Sequence, residues 1–144
     1  SCVNWLNENT YKLNSYVTVD ELKYLRKSGR ISMPLAIAGA LLNIKPILKA
    51  DGGETAKLVF CGKERGRKKA ISALAAAFAE RANPLNQTVA ITHADCEEEA
   101  LALAETIKSM GATDVIMEYY DLCTGAHIGP GTIALFFMGK DRRD

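Results

Sequence analysis

A chain of 144 residues with 48% hydrophobic content can bury a sizeable core without disulfide or metal staples. Lys plus Arg number 18 and Asp plus Glu 17, a formal charge of +1, so there is no general field for nucleic acid or an anionic membrane and any anion recognition must be local. Cys2, Cys61, Cys96 and Cys123 are far apart and form no Cys-x-x-Cys pair, so they read as free thiols of a reducing cytoplasm, and no metal centre is expected.

The opening stretch SCVNWLNENTYKLN has neither the basic start nor the apolar centre of a secretory signal, and Ser1 in place of methionine suggests a processed or excised chain. KLNSYVTV alternates loosely and predicts a strand. Thr18 and Glu21 have capping-box spacing and open a short predicted helix, DELKYLRKS, that Gly29 closes. Ser32 and Pro34 open a second helix with Leu35, Ala38, Leu41 and Leu42 on one face. It is apolar enough to be deeply buried and too short to cross a bilayer.

IKPILKADGGETAKLVF predicts a hairpin around Asp51-Gly52-Gly53. RGRKKAISALAAAFAERAN predicts a helix with Ile71, Leu74 and Phe78 on one stripe, ended at Asn83-Pro84. TVAITH is a strand, Asp95 and Glu98 suggest a reciprocal cap for the helix after it, and Gly111 ends that helix. DVIMEYY and TIALFFM are the last predicted strands, and the charged end KDRRD is expected to fray. Strands alternating with helices around one hairpin, without repeats or a linker, predict a single α/β domain with a mixed sheet.

Three clusters carry possible chemistry. His93, Asp95 and Cys96 are potential metal ligands, but they fall where a strand meets a helix and Asp95 has a capping role; the structural reading is preferred. Lys63, Arg65, Arg67, Lys68 and Lys69 crowd a helix start, where positive charge opposes the macrodipole; this favours a partner with negative charge over a merely solvated face. No aromatic residues interleave for base stacking, so nucleic acid is a weaker choice. Arg30 lies between a helix end and a cap, which suits carbonyl binding and ligand binding equally. The stretch TGAHIGPGTIALFF reads as a sharp reversal into a buried strand, with His127 just ahead of it. No Walker loop, dinucleotide fingerprint or Gly-x-Ser-x-Gly elbow is present.

Together VDELKYLRKSGRIS, LLNIKPIL, RGRKKAI, ITHADCEEEA and HIGPGTIALFF, in this order, resemble the DegV family over nearly the whole chain. The resemblance implies two-domain α/β proteins that hold a long-chain fatty acid between the domains. The best understood members serve bacterial fatty acid kinases as binding subunits and present the carboxylate for phosphorylation to acyl phosphate. Residues 1–144 resemble only the second, C-terminal domain, a two-layer arrangement of helices packed on a mixed β-sheet. The N-terminal domain, with the hydroxyl residues that also hold the carboxylate, has no counterpart here. Carried over by motif, His127 and Arg30 are head-group residues, Gly129, Pro130 and Gly131 shape the site, and Arg65, Arg67 and Lys68 dock the kinase.

The expected role is a cytoplasmic carrier of a long-chain fatty acid, partnered by a fatty acid kinase and by the missing N-terminal domain. It needs no cofactor, no metal, no catalytic residue of its own, no nucleic acid and no stable membrane insertion. Two rivals remain: an enzyme or kinase subunit related to the dihydroxyacetone kinase fold, with His127 in a covalent or acid-base role, and a nucleic-acid module using the basic helix start.

Overall fold

The computed structural model describes residues 1–29, 43–53 and 58–144. Arg30 and the helix expected from Ser32 and Pro34 lie outside the described residues. The apolar run near the end of the chain explains the architecture. Ile133–Met138 (β6) alternates its side chains between two faces, yet Ile133, Ala134, Leu135 and Phe137 are all buried, so the strand must be covered on both sides. It lies inside a six-stranded sheet of order β3-β2-β1-β6-β4-β5, with Leu13–Thr18 as β1, Ile44–Ala50 as β2, Leu58–Arg65 as β3, Thr88–His93 as β4 and Asp114–Tyr119 as β5. β4 and β5 pair in parallel and every other neighbouring pair is antiparallel, which makes the sheet mixed, as expected. The hairpin forms from Ile44↔Arg65 to Ala50↔Leu58, with an irregularity between Ile47 and Leu48.

One face of the sheet carries two long helices, Arg67–Arg81 (α3) and Glu97–Ser109 (α4). The expected stripe on α3 is real at Leu74 and Phe78, which are fully buried, with Ile71 half-buried at its edge. Phe78 meets Phe137 edge-on with ring centroids 5.3 Å apart, and Tyr16 stacks on the same Phe137 at 6.1 Å. The other face carries a smaller cluster in which Leu25 of Leu22–Lys27 (α2) and Ile128 of Leu122–Ile128 (α5) cover Val17, Leu48 and Ala134. Among the described residues no helix is long and apolar enough to cross a membrane.

Four local expectations are corrected. Cys2–Asn9 forms a helix (α1), where no element was predicted, with Ser1 Oγ accepting from the Asn4 N–H at 3.4 Å and Val3, Trp5 and Leu6 exposed. Thr18 does not cap α2. Its buried hydroxyl donates to the Pro46 carbonyl at 2.9 Å, a stronger claim from inside the sheet. Asp95 does not cap α4 either: its backbone takes φ +53°, Cys96 is the capping residue, and the Cys96 N–H donates to His93 Nδ1 at 3.5 Å. The charged end is tied down rather than frayed. The Arg142 N–H donates to the Tyr11 carbonyl at 2.8 Å, the Lys140 N–H to that of Arg81 at 2.9 Å, and the Arg143 guanidinium lies 4.0 Å from the Tyr11 ring centroid.

Candidate anion-binding cavity

His127 stands on the last turn of α5, a helix in place of the bare reversal that the Gly-Pro-Gly spacing suggested. Asp121 starts this helix by accepting the Thr124 N–H at 2.9 Å and its hydroxyl at 2.5 Å, bonds that hold the Asp121 carboxyl below the usual carboxylate range. Gly129 ends it at φ +81°, and Gly131 follows at φ +78°, conformations that a side-chain-bearing residue adopts only with strain. Space imposes the same choice. A Cβ on Gly129 would fall 2.2 Å from Tyr24 Cδ2, and one on Gly131 would fall 2.7 Å from Asp20 Cβ. The turn is therefore pressed against Asp20 and α2, and it sets the position of the Tyr24 ring.

The same turn is laced to the end of β4. The Gly131 N–H donates to the Ala94 carbonyl at 2.7 Å, and the Ala94 N–H donates to the Thr132 carbonyl at 2.9 Å. The buried Thr132 hydroxyl lies 2.9 Å from the Gly129 carbonyl oxygen and 3.1 Å from that of Ile128, where it supplies a donor to the end of α5. His93-Ala94-Asp95-Cys96 is thus scaffold for the Gly-Pro-Gly turn: His93 is buried, accepts the Cys96 N–H ahead of α4, and lies with its ring centroid 4.3 Å from that of Tyr119. Burial pushes the Cys96 thiol up, and the neighbouring Arg67 charge opposes that shift. Among the described residues no group of three His, Cys, Asp or Glu side chains is placed to hold a metal ion.

α2 and α5 enclose a cavity of about 530 Å³ lined by Lys23, Tyr24, Lys27, Ser28, Ala126 and His127. Two lysines and a histidine among the lining residues suit a carboxylate or phosphoryl oxygen. Lys23 also pairs with Glu21, whose hydrogen bond raises the lysine's proton affinity, and its ammonium lies 5.0 Å from the Tyr24 ring centroid. The Ser28 hydroxyl lies 3.1 Å from the Leu25 carbonyl oxygen and 3.5 Å from that of His127, and so connects the two helices. Lys23, Tyr24 and Lys27 were not singled out from sequence. The available signal was the four-residue spacing of Lys23 and Lys27, which puts both on one helical face. Beside the cavity, the smaller apolar cluster has half-buried side chains in Leu22, Leu58, Phe60, Tyr120 and Phe136.

The basic cluster lies elsewhere, and its members differ. Arg65 ends β3 and is exposed, as is Lys68 in the first turn of α3. Arg67 turns inward: its Nε and Nη2 donate to Glu99 Oε2 at 3.0 and 2.8 Å, pinning α3 to α4 with only 17% of the side chain exposed. None of the three lines the His127 cavity. Arg67 instead lines a smaller hollow of about 300 Å³ together with Pro130 and Gly131 of the turn.

Comparison with known proteins places these features in a family. The model of a family described as an uncharacterised protein, DegV family, matches residues 1–140. A DegV domain-containing protein of Clostridium perfringens, CPE0026, is 42% identical over 142 residues, which span 96% of this chain and 48% of the relative. Among solved structures, the fatty acid binding DegV family protein SAG1342 of Streptococcus agalactiae matches with a TM-score of 0.79 at 29% identity, over 96% of this chain and 48% of its own. The Streptococcus pneumoniae Fatty Acid Kinase (Fak) B3 protein, loaded with linoleic acid, shares the fold with a TM-score of 0.82 at 21% identity, over 96% of this chain and 48% of its own. The chain therefore spans about half the length of the relatives it matches.

Proposed function

Because this chain belongs to the DegV family, we propose that it is the C-terminal half of a fatty-acid carrier and supplies one wall of the ligand site. The observation that carries this reading is the convergence of His127, Lys23 and Lys27 on one cavity, beside a half-buried apolar cluster on the same face of the sheet. The cationic groups take the carboxylate, the apolar cluster takes the alkyl tail, and an N-terminal domain closes the site. Arg30, three positions past the last residue of α2 in sequence, is assigned to the head group by its motif alone. Gly129, Pro130 and Gly131 hold His127 and Tyr24 in place.

The chain acts as a carrier rather than a catalyst, and a separate fatty acid kinase phosphorylates the carboxylate to an acyl phosphate in the cytoplasm. Arg65 and Lys68 offer that kinase exposed positive charge, while Arg67 keeps the two helices beneath them in register. A hydrogen bond to a charged group is worth about 1.5–3 kcal/mol, whereas each buried methylene contributes about 0.8 kcal/mol. The tail therefore dominates affinity, and His127 governs where the carboxylate points. In the two-domain protein His127→Ala should retain lipid yet lower acyl-phosphate formation at least tenfold, because phosphoryl transfer depends on alignment. The measurement is turnover by the kinase with wild-type and variant carriers loaded equally; equal turnover would overturn the head-group role.

A further inference from the structure

A further cavity lies on the opposite face of the sheet from His127. It is a groove of about 600 Å³ between α3 and α4. Ile71 and Ala75 form one wall, and Ala102, Leu103 and Met110 form the other. The two hydroxyls along it are turned to their own helices: Ser72 donates to the Lys68 carbonyl at 3.0 Å and Thr106 to that of Ala102 at 2.9 Å. At one end Arg67 pairs with Glu99 through Nε and Nη2, while its Nη1 is buried without a hydrogen-bond partner. Beside them Lys68 is exposed, and it has no ion-pair partner among the described residues.

A groove with the exposed Lys68 ammonium and the unpartnered Arg67 Nη1 at one end, and an apolar body reaching to Met110, is complementary to a molecule with one anionic head and one alkyl tail. We propose that the α3–α4 groove is a second ligand site, for a free single-chain anionic amphiphile, with the head on Lys68 and the tail running toward Met110. It is independent of the His127 cavity, since α3 and α4 cover the larger core cluster while α2 and α5 cover the smaller one on the other face. The groove therefore fills whether or not the His127 cavity is complete.

The test is titration of the 144-residue chain with sodium decanoate below its micelle concentration, following the methyl resonances of Ile71, Leu103 and Met110 by NMR. Saturable shifts of these three are expected. Lengthening the acid to dodecanoate should tighten binding, up to a ceiling of about fourfold per buried methylene. Decyltrimethylammonium, with the same tail and the opposite charge, should bind at least tenfold more weakly, and Lys68→Glu should remove that preference. Ala102→Trp places a ring on the exposed rim and should abolish the shifts, with an unchanged thermal melt confirming the fold. Shifts confined to residues around His127, equal binding of the two head groups, or unchanged titration of Ala102→Trp would each overturn the proposal.

Discussion

The two faces of the sheet are built by different means. On one, α3 and α4 have 15 and 13 residues and bury continuous stripes of side chains; on the other, α2 and α5 have 6 and 7. Helices as short as α2 and α5 are not stable by themselves, and here each contributes one buried apolar anchor, Leu25 or Ile128. What holds them is local geometry: the Gly-Pro-Gly turn against Tyr24, the Thr132 hydroxyl beneath α5, and Gly131 bonded to Ala94. The lesson is a separation of tasks. The α3–α4 face carries stability through area, and the α2–α5 face carries the cavity through geometry, so the two should fail in different ways.

The largest effect should come from the first face. Phe78 is fully buried and packs edge-on against Phe137 in the centre of the larger cluster. Phe78→Ala should cost about 3–5 kcal/mol in urea unfolding, from lost burial and the cavity it leaves. If the separation holds, the folded variant's α2 and α5 resonances, His127 included, should keep their wild-type positions. Widespread shifts around His127 would show that the two faces are coupled through β6.

Gly129→Ala tests the second face. A non-glycine residue at φ +81°, ψ 166° costs about 1–3 kcal/mol, and overpacking adds about 1–3 kcal/mol where Tyr24 must move aside. Here the structural outcome matters more than the magnitude. Tyr24 and His127 should both shift in a crystal structure or NMR spectrum, while the Phe78–Phe137 contact stays. A variant with wild-type stability and an unmoved Tyr24 would mean that the turn does not position the cavity wall.

Legibility in the sequence follows the same division. β6 and α3 are readable because their burial is written in local periodicity, a continuous apolar run and a three-to-four-residue stripe. The cavity is readable only at His127 and the Gly-Pro-Gly turn, where a motif concentrates the information. Lys23, Tyr24 and Lys27 belong to it through the packing of α2 beside α5, and nothing periodic encodes which helix lies beside which. The failed caps show competition between partners. Thr18 had a sheet carbonyl within reach, and His93 reached the Cys96 amide from the strand before it. Arg65 and Arg67, two residues apart, part company because a strand ends at one and a helix begins at the other.

The smallest expected effect sharpens the claim that area secures the α3–α4 face, because the last turn of α3 is also held by the chain end. Arg81 Nη2 donates to the Asp141 carbonyl at 2.7 Å, and the Asp141 carboxylate accepts from the Arg143 amide at 3.0 Å and from its guanidinium at 2.8 and 2.5 Å. These bonds, chiefly the guanidinium's, lower the Asp141 carboxyl to about 2. Its folded-state value lies below the unfolded one, so its stabilisation is complete above the ordinary carboxylate range and is lost as pH falls from about 4 toward 2. The pair is exposed, so the effect on melting should be slight and should shrink further in high salt. A carboxyl-detected NMR titration should place the Asp141 midpoint near 2, with the Tyr11 ring resonances moving in step as the Arg143 contact loosens. Between pH 4 and 2 the melting temperature of Asp141→Asn should fall less than that of wild type, since the variant has no such charge to lose. A midpoint in the ordinary carboxylate range would show that the clasp does not form in solution, leaving the end of α3 to be held by its buried side chains alone.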